Sequence, residues 1–181
     1  MSPDVLLDAE TLGSAQQPRE EDPALRAWVL PDGCDAVVPD AASMLTVTQG
    51  TGEMEQGVSL HQVAVFADAD AAVAAADALT ATLTACAERG PGEGRDTRYA
   101  LESIPVGAQG SGFAVDYYGA SGAHPLDGAI GRYLATTRRG NAVTVVGTLS
   151  GEATVGAARD QVVGWAQSAW ELLCGYDSRG C

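Results

Sequence analysis

Apolar positions change their period along this chain, and each change marks an element. Ser2-Pro3-Asp4 predicts one short helix: Ser2 caps it, Pro3 takes the first helical position, and Gly13 stops it after Leu12. Residues 14–23 are polar and hold two prolines, which predicts an exposed loop. Leu25 to Leu30, carrying Trp28, predicts a short packed segment, and Pro31-Asp32-Gly33 a turn that delivers Cys34. Met44 to Thr48 predicts a strand, and Gln49 to Gly57 a glycine-bearing turn with Glu53 and Glu55. Val58 to Phe66 predicts the next strand. Its Val63-Ala64-Val65-Phe66 run is apolar on both faces, which expects a central place in the sheet.

A helical period follows. Asp68 or Asp70 caps a helix to about Arg89, with Ala72, Ala75, Ala76, Leu79, Leu83 and Cys86 on one stripe and Gly90-Pro91 as the stop. A stripe made mostly of alanine lets a helix approach a sheet closely. Four strands come next: Arg98 to Ile104 and Gly112 to Tyr118 around a turn with Gly107, Gly110 and Gly112, then Ile130 to Thr137 and Ala142 to Leu149. Arg138-Arg139-Gly140-Asn141 predicts a tight hairpin, because glycine and asparagine tolerate positive φ. Val143, Val145 and Leu149 alternate with Thr144 and Thr148, which expects one core face and one partly wet face. Glu152 to Cys174 predicts the last helix, with Val155, Ala158, Val162, Trp165, Ala166, Ala169 and Leu173 as its stripe and Gly175 as its end. Trp165 and Trp170, five apart, cannot share a helix face, so one is expected in the core. The whole reads as a single α+β domain over 1–181: a mostly antiparallel sheet flanked by helices.

Composition narrows the class. With 46% apolar residues the chain suits a folded protein. No apolar run approaches the roughly 20 residues of a membrane-spanning helix. Ten arginines and no lysine face 24 acids, a net charge of −14, and 13 of the acids fall in the first 70 residues. Such a surface repels phosphate backbones and anionic headgroups, so nucleic acid is not an expected partner.

Cys34, Cys86, Cys174 and Cys181 are even in number and form no C-x-x-C pair. Two of them end the two longest helical patterns. That spacing reads as a disulfide framework and an exported protein, with four free thiols in a cytosolic protein as the alternative. No signal peptide stands at Met1, so an exported chain is expected to start after its leader.

Catalytic signatures are sparse. His61 and His124 are the only histidines and form no metal-ligand spacing, so no metal or cofactor is expected. His61 reads as a hydrogen-bonded structural residue and His124, before Pro125, as solvated. No G-x-S-x-G elbow exists, and Gly119-Ala120-Ser121-Gly122 reads as a loop. Gly90-Pro91-Gly92-Glu93-Gly94 matches no phosphate-binding pattern, and Asp68-Ala69-Asp70 reads as helix capping. One constellation stands out on adjacent expected strands: Tyr99, Asp116, Tyr117, Tyr118, Arg132 and Tyr133. Tyrosines beside an arginine and a carboxylate can line a pocket for a polar or glycan-like ligand. The plainer alternative is an Asp116–Arg132 cross-strand pair with half-buried tyrosines.

With these elements in place, the chain resembles the sensor-domain family named for the extracellular part of the mycobacterial Ser/Thr kinase PknH, related to domains of actinobacterial lipoproteins. The residues that carry the likeness are Val5-Leu6-Leu7-Asp8-Ala9-Glu10-Thr11-Leu12-Gly13, the run from Val63 through Phe66, Ala72 and Ala76 to Cys86, Arg138-Arg139-Gly140-Asn141-Ala142-Val143, and the closing helix with its cysteine. The resemblance implies an envelope-facing domain with two disulfides, a twisted antiparallel sheet and a ligand cleft; this chain carries no kinase region. Four cysteines permit three pairings. Within that frame we expect Cys34–Cys86 and Cys174–Cys181, with whichever of Trp165 and Trp170 is not in the core under the second bridge or at a cleft rim. The expected function is an extracytoplasmic, non-enzymatic sensor or ligand-binding domain, secreted or lipid-anchored. Its partner would be a small molecule, a glycan or an envelope protein. An envelope interaction module without a small-molecule site is the alternative, and a hydrolase a weaker one.

Overall fold

The computed structural model describes residues 1–52, 57–90 and 96–181. The expected turn with Glu53 and Glu55, the Pro91 stop and most of the Gly90–Gly94 cluster lie outside the described residues. Among the described residues, eight strands form one antiparallel sheet: β1 (Arg19–Asp22), β2 (Ser43–Gln49), β3 (Ser59–Val65), β4 (Arg98–Ser103), β5 (Ala108–Asp116), β6 (Ile130–Arg139), β7 (Ala142–Thr148) and β8 (Ala153–Thr154). The spatial order is β1-β2-β3-β7-β6-β5-β4, with β8 paired to β6. Two meanders therefore meet where β3 pairs with β7. After β3 the chain crosses the sheet through a helix and resumes at the far edge. The α+β class, the antiparallel sheet, the central place of β3 and both disulfide pairings match the sequence expectation.

Helices cover both faces. Helix α2 (Ala69–Arg89) packs Ala72, Ala76, Leu79, Leu83 and Cys86 against Leu60, Ala64, Phe113, Leu134, Val143 and Val145. Helix α3 (Val155–Leu172) packs Val155, Ala158, Val162, Trp165, Ala166 and Ala169 against Val63, Ala114, Tyr133, Ala135 and Val146 on the other face. Alternation along each strand divides the two cores. This corrects the expected wet face of β7: Thr144 is fully buried, and its hydroxyl donates to the Gln62 carbonyl at 3.0 Å.

Asp68, not Asp70, caps α2, its carboxylate accepting from the Ala71 amide at 2.8 Å. Thr154 caps α3, so that helix begins after Glu152; it ends at Leu172, and Gly175 falls within a 3-10 turn, Leu173–Tyr176. The β6–β7 hairpin turns at Gly140, φ 55°, while Asn141 keeps a negative φ and bonds the Phe66 carbonyl through its side-chain amide. A Cβ at Gly140 would strike the Tyr176 backbone, so glycine is required twice over, for conformation and for space.

The N-terminal segment departs from a single helix. A 3-10 turn, Pro3–Val5, is capped by Ser2, and a separate turn, α1 (Ala9–Leu12), is capped by Asp8. Extended backbone between them lets the Leu7 amide donate to His61 Nδ1 at 3.0 Å. The expected 14–23 loop also yields an edge strand, because Arg19–Asp22 pairs with Thr46–Gln49. Its acidic side chains suit an edge that must resist pairing with other chains. Glycines 110 and 112, expected in a turn, lie inside β5, whose register shifts between Ala108 and Ser111 around Gln109 at φ 58°.

Candidate functional site

β4, β5 and β6 run side by side at one end of the sheet. Their α2-facing residues there are Tyr99, Val115 and Arg132, with Tyr117 just past the end of β5. A cleft of about 370 Å³ opens over them, lined by Tyr99, Tyr117, Tyr118 and Arg132 and bounded by Asp32, Leu149 and Glu152. Four of the six expected site residues thus meet. The Tyr99 phenol donates to the Asp32 carbonyl and ties the Pro31–Gly33 turn to the rim. Tyr117 and Tyr118 meet edge to face with centroids 6.3 Å apart, and Tyr118 is 65% exposed. Burial pushes the Tyr117 phenol up, with the Arg132 guanidinium pulling it the other way, so it enters the cleft as a neutral donor.

Arg132 donates through Nη1 to the Leu149 carbonyl at 2.5 Å. Its Nε is buried and has no hydrogen-bond partner among the described residues. A buried guanidinium N–H left unmatched costs desolvation energy.

Asp116 and Tyr133 go elsewhere. Arg132 stands opposite Val115, and Asp116 opposite Gly131, so an Asp116–Arg132 pair does not form. The Asp116 side chain is fully buried and accepts from the Ser121 amide at 2.8 Å and the Tyr118 amide at 3.1 Å. Burial opposes its charge, but the hydrogen bonds from Ser121, Tyr118 and Ala120 prevail and hold the carboxyl below its ordinary range. Asp116 therefore shapes the loop that carries Tyr118. Tyr133 points to the α3 face, where its phenol donates to Glu102 Oε1, and Glu102 also accepts from Arg159 Nε at 2.6 Å. Arg159 reaches Asp127 as well. Desolvation opposes the Arg159 charge, but the two carboxylates outweigh it and raise its pKa.

The histidines occupy unlike places. His61 is fully buried between the Leu7 amide and the Thr144 hydroxyl, and burial brings its pKa down to about 3. His124 is exposed. Among the described residues, neither has a serine and a carboxylate in hydrogen-bonded series with it. Of Trp165 and Trp170, Trp165 is the one in the core. Trp170 is half-buried under the Arg139 guanidinium, 4.1 Å from its centroid, and Arg139 also faces Asp177 beside the C-terminal bridge.

A second cavity escaped the sequence reading. About 450 Å³ lies between α2 and the loop that precedes β2, lined by Trp28, Leu30, Val37, Val38 and Phe66 on one side and by alanines of α2 on the other. The alanine stripe was legible as a sheet-packing face; that a neighbouring stripe faces a loop was not.

No protein-family model matches the chain, and no curated protein matches it. Among solved structures it is similar to the extracellular domain of PknH from Mycobacterium tuberculosis, with a TM-score of 0.56 and 14% identity over 91% of this chain and 93% of that one. At that identity the likeness is one of architecture.

Proposed function

We propose that this chain is an extracytoplasmic, non-enzymatic ligand-binding or sensing domain whose polar ligand sits on Tyr99, Tyr117, Tyr118 and Arg132. The observation that carries the reading is the cleft of about 370 Å³ in which Arg132, anchored on the Leu149 carbonyl, meets Tyr99, Tyr117 and Tyr118. Aromatic faces beside a fixed cation and the carboxylates of Asp32 and Glu152 suit a hydroxyl-rich ring, such as a saccharide, better than a bare anion. Two closed disulfides support an oxidising compartment, as does the architecture shared with an extracellular sensor domain. No helix among the described residues is long and apolar enough to cross a membrane. Secretion and lipid anchoring both accord with this reading.

Melting temperature followed against a panel of mono- and disaccharides and soluble cell-wall fragments tests it. A saturable rise for at least one compound, lost in Arg132→Met and weakened in Tyr118→Ala, supports the cleft. Absence of any shift across the panel, with both variants folded, contradicts it. A partner protein retained equally by wild type and Arg132→Met would favour the interaction-module alternative.

A further inference from the structure

The cavity against α2 is independent of the tyrosine cleft and has a different chemistry. Its floor is Ala71, Ala74, Ala75 and Ala78, its walls Trp28 and Phe66, and its outer strap Val37-Val38-Pro39. Val37 and Val38 are 62% and 54% exposed, so the strap presents apolar side chains that nothing covers among the described residues. The strap is built to stay in place. Cys34–Cys86 fastens one end to α2, and the Trp28 amide bonds the Val37 carbonyl at 3.3 Å. The groove is therefore a persistent feature of the fold and not a gap between loose loops.

Its dimensions select an occupant. From Ala71 to Thr82 the floor runs about 16 Å at the helical rise of 1.5 Å per residue. A volume of about 450 Å³ over that length leaves a narrow bore, well short of the cross-section of an α-helix, which is about 10 Å wide. Its lining offers almost no hydrogen-bonding capacity: the Thr82 hydroxyl already donates to the Ala78 carbonyl at 2.9 Å. Asp40 at the rim is the one charged residue among the described lining, on a chain of net charge −14. A peptide in extended form would bring amides with no partners, and an anionic headgroup would meet like charge.

We infer that this groove binds the alkyl chain of an amphiphile whose headgroup is not anionic. Octaethylene glycol dodecyl ether, below its micellar concentration, is a suitable probe because its head is neither charged nor a sugar. Titration calorimetry and Trp28 fluorescence should show one saturable site. Affinity should rise by about fourfold for each methylene added between octyl and dodecyl homologues. Ala78→Phe, at an exposed helix position, should fill the bore and weaken binding at least tenfold while leaving the melting temperature near wild type. Val38→Ser, on the strap, should weaken it less. Dodecyl sulfate at equal chain length should bind more weakly. Binding that ignores chain length, or persists in a folded Ala78→Phe variant, overturns the inference. So does a concentration-dependent dimer that Ala78→Phe disperses, because the occupant would then be a second copy. Arg132→Met leaves this binding intact, which keeps its failure distinct from that of the saccharide cleft.

Discussion

His61 Nε2 lies 2.8 Å from the Thr144 hydroxyl, across the seam where the two meanders join. Nδ1 accepts from the Leu7 amide, so the ring proton resides on Nε2 and is donated to Thr144, whose own proton goes to the Gln62 carbonyl. Only a neutral imidazole fits this series.

That relation has a pH consequence. In the folded protein burial keeps His61 neutral down to about pH 3, whereas the unfolded chain takes up the proton near 6.5. The unfolded state then binds more protons, so stability is complete above pH 6.5 and declines as pH falls. The slope contributed is up to about 1.4 kcal/mol per unit. Asp8, Asp116 and Asp177, whose pKa values are lowered, add to the loss only below their ordinary 3.8. Urea unfolding at steps from pH 7 to 4 should show this decline. In His61→Gln the protein should be weaker at neutral pH by about 2 kcal/mol and nearly flat across that window.

Reduction should act unequally on the two bridges. Cys34–Cys86 closes a separation of 52 residues and Cys174–Cys181 one of 7. Loop-closure entropy gives at most about 4 and about 2.5 kcal/mol respectively. Paired Cys→Ala variants, compared by denaturant midpoint, should follow that order. Only loss of the first should loosen the Val37–Val38 strap, read as faster hydrogen exchange at the Trp28 amide.

Glu102, Tyr133 and Arg159 fasten α3 to the sheet, and Gly112 makes room for them. A Cβ at Gly112 would collide with the Tyr133 hydroxyl. Gly112→Ala should therefore displace that phenol from Glu102 and destabilise by about 1–3 kcal/mol. Arg159→Met should cost about 1–2 kcal/mol, and a double-mutant cycle with Glu102→Gln should return a coupling of about 1 kcal/mol. Asp127 is 66% exposed, so its share should fade in high salt.

Elements with strong local signals were legible in the sequence. Val63-Ala64-Val65-Phe66 followed by the alanine stripe announced β3 and α2, and the turn at Gly140 announced the β6–β7 hairpin. What escaped depended on distant partners. Arg19–Asp22 has no apolar alternation and is a strand only because β2 offers it an edge. The N-terminal helix breaks because Leu7 bonds a histidine far along the chain. Arg132 could be placed beside tyrosines, but its separation from Asp116 follows from register, which composition does not reveal. The apolar groove arises where α2 meets a loop without periodicity.

The most direct test of the binding site is the NMR resonance of the Arg132 Nε–H, assigned by its absence in Arg132→Lys. The cleft account predicts that a saccharide or cell-wall fragment moves this resonance saturably, because a ligand seated on Arg132 changes the surroundings of its guanidinium. A resonance that stays fixed across the whole panel, in folded protein, would contradict it.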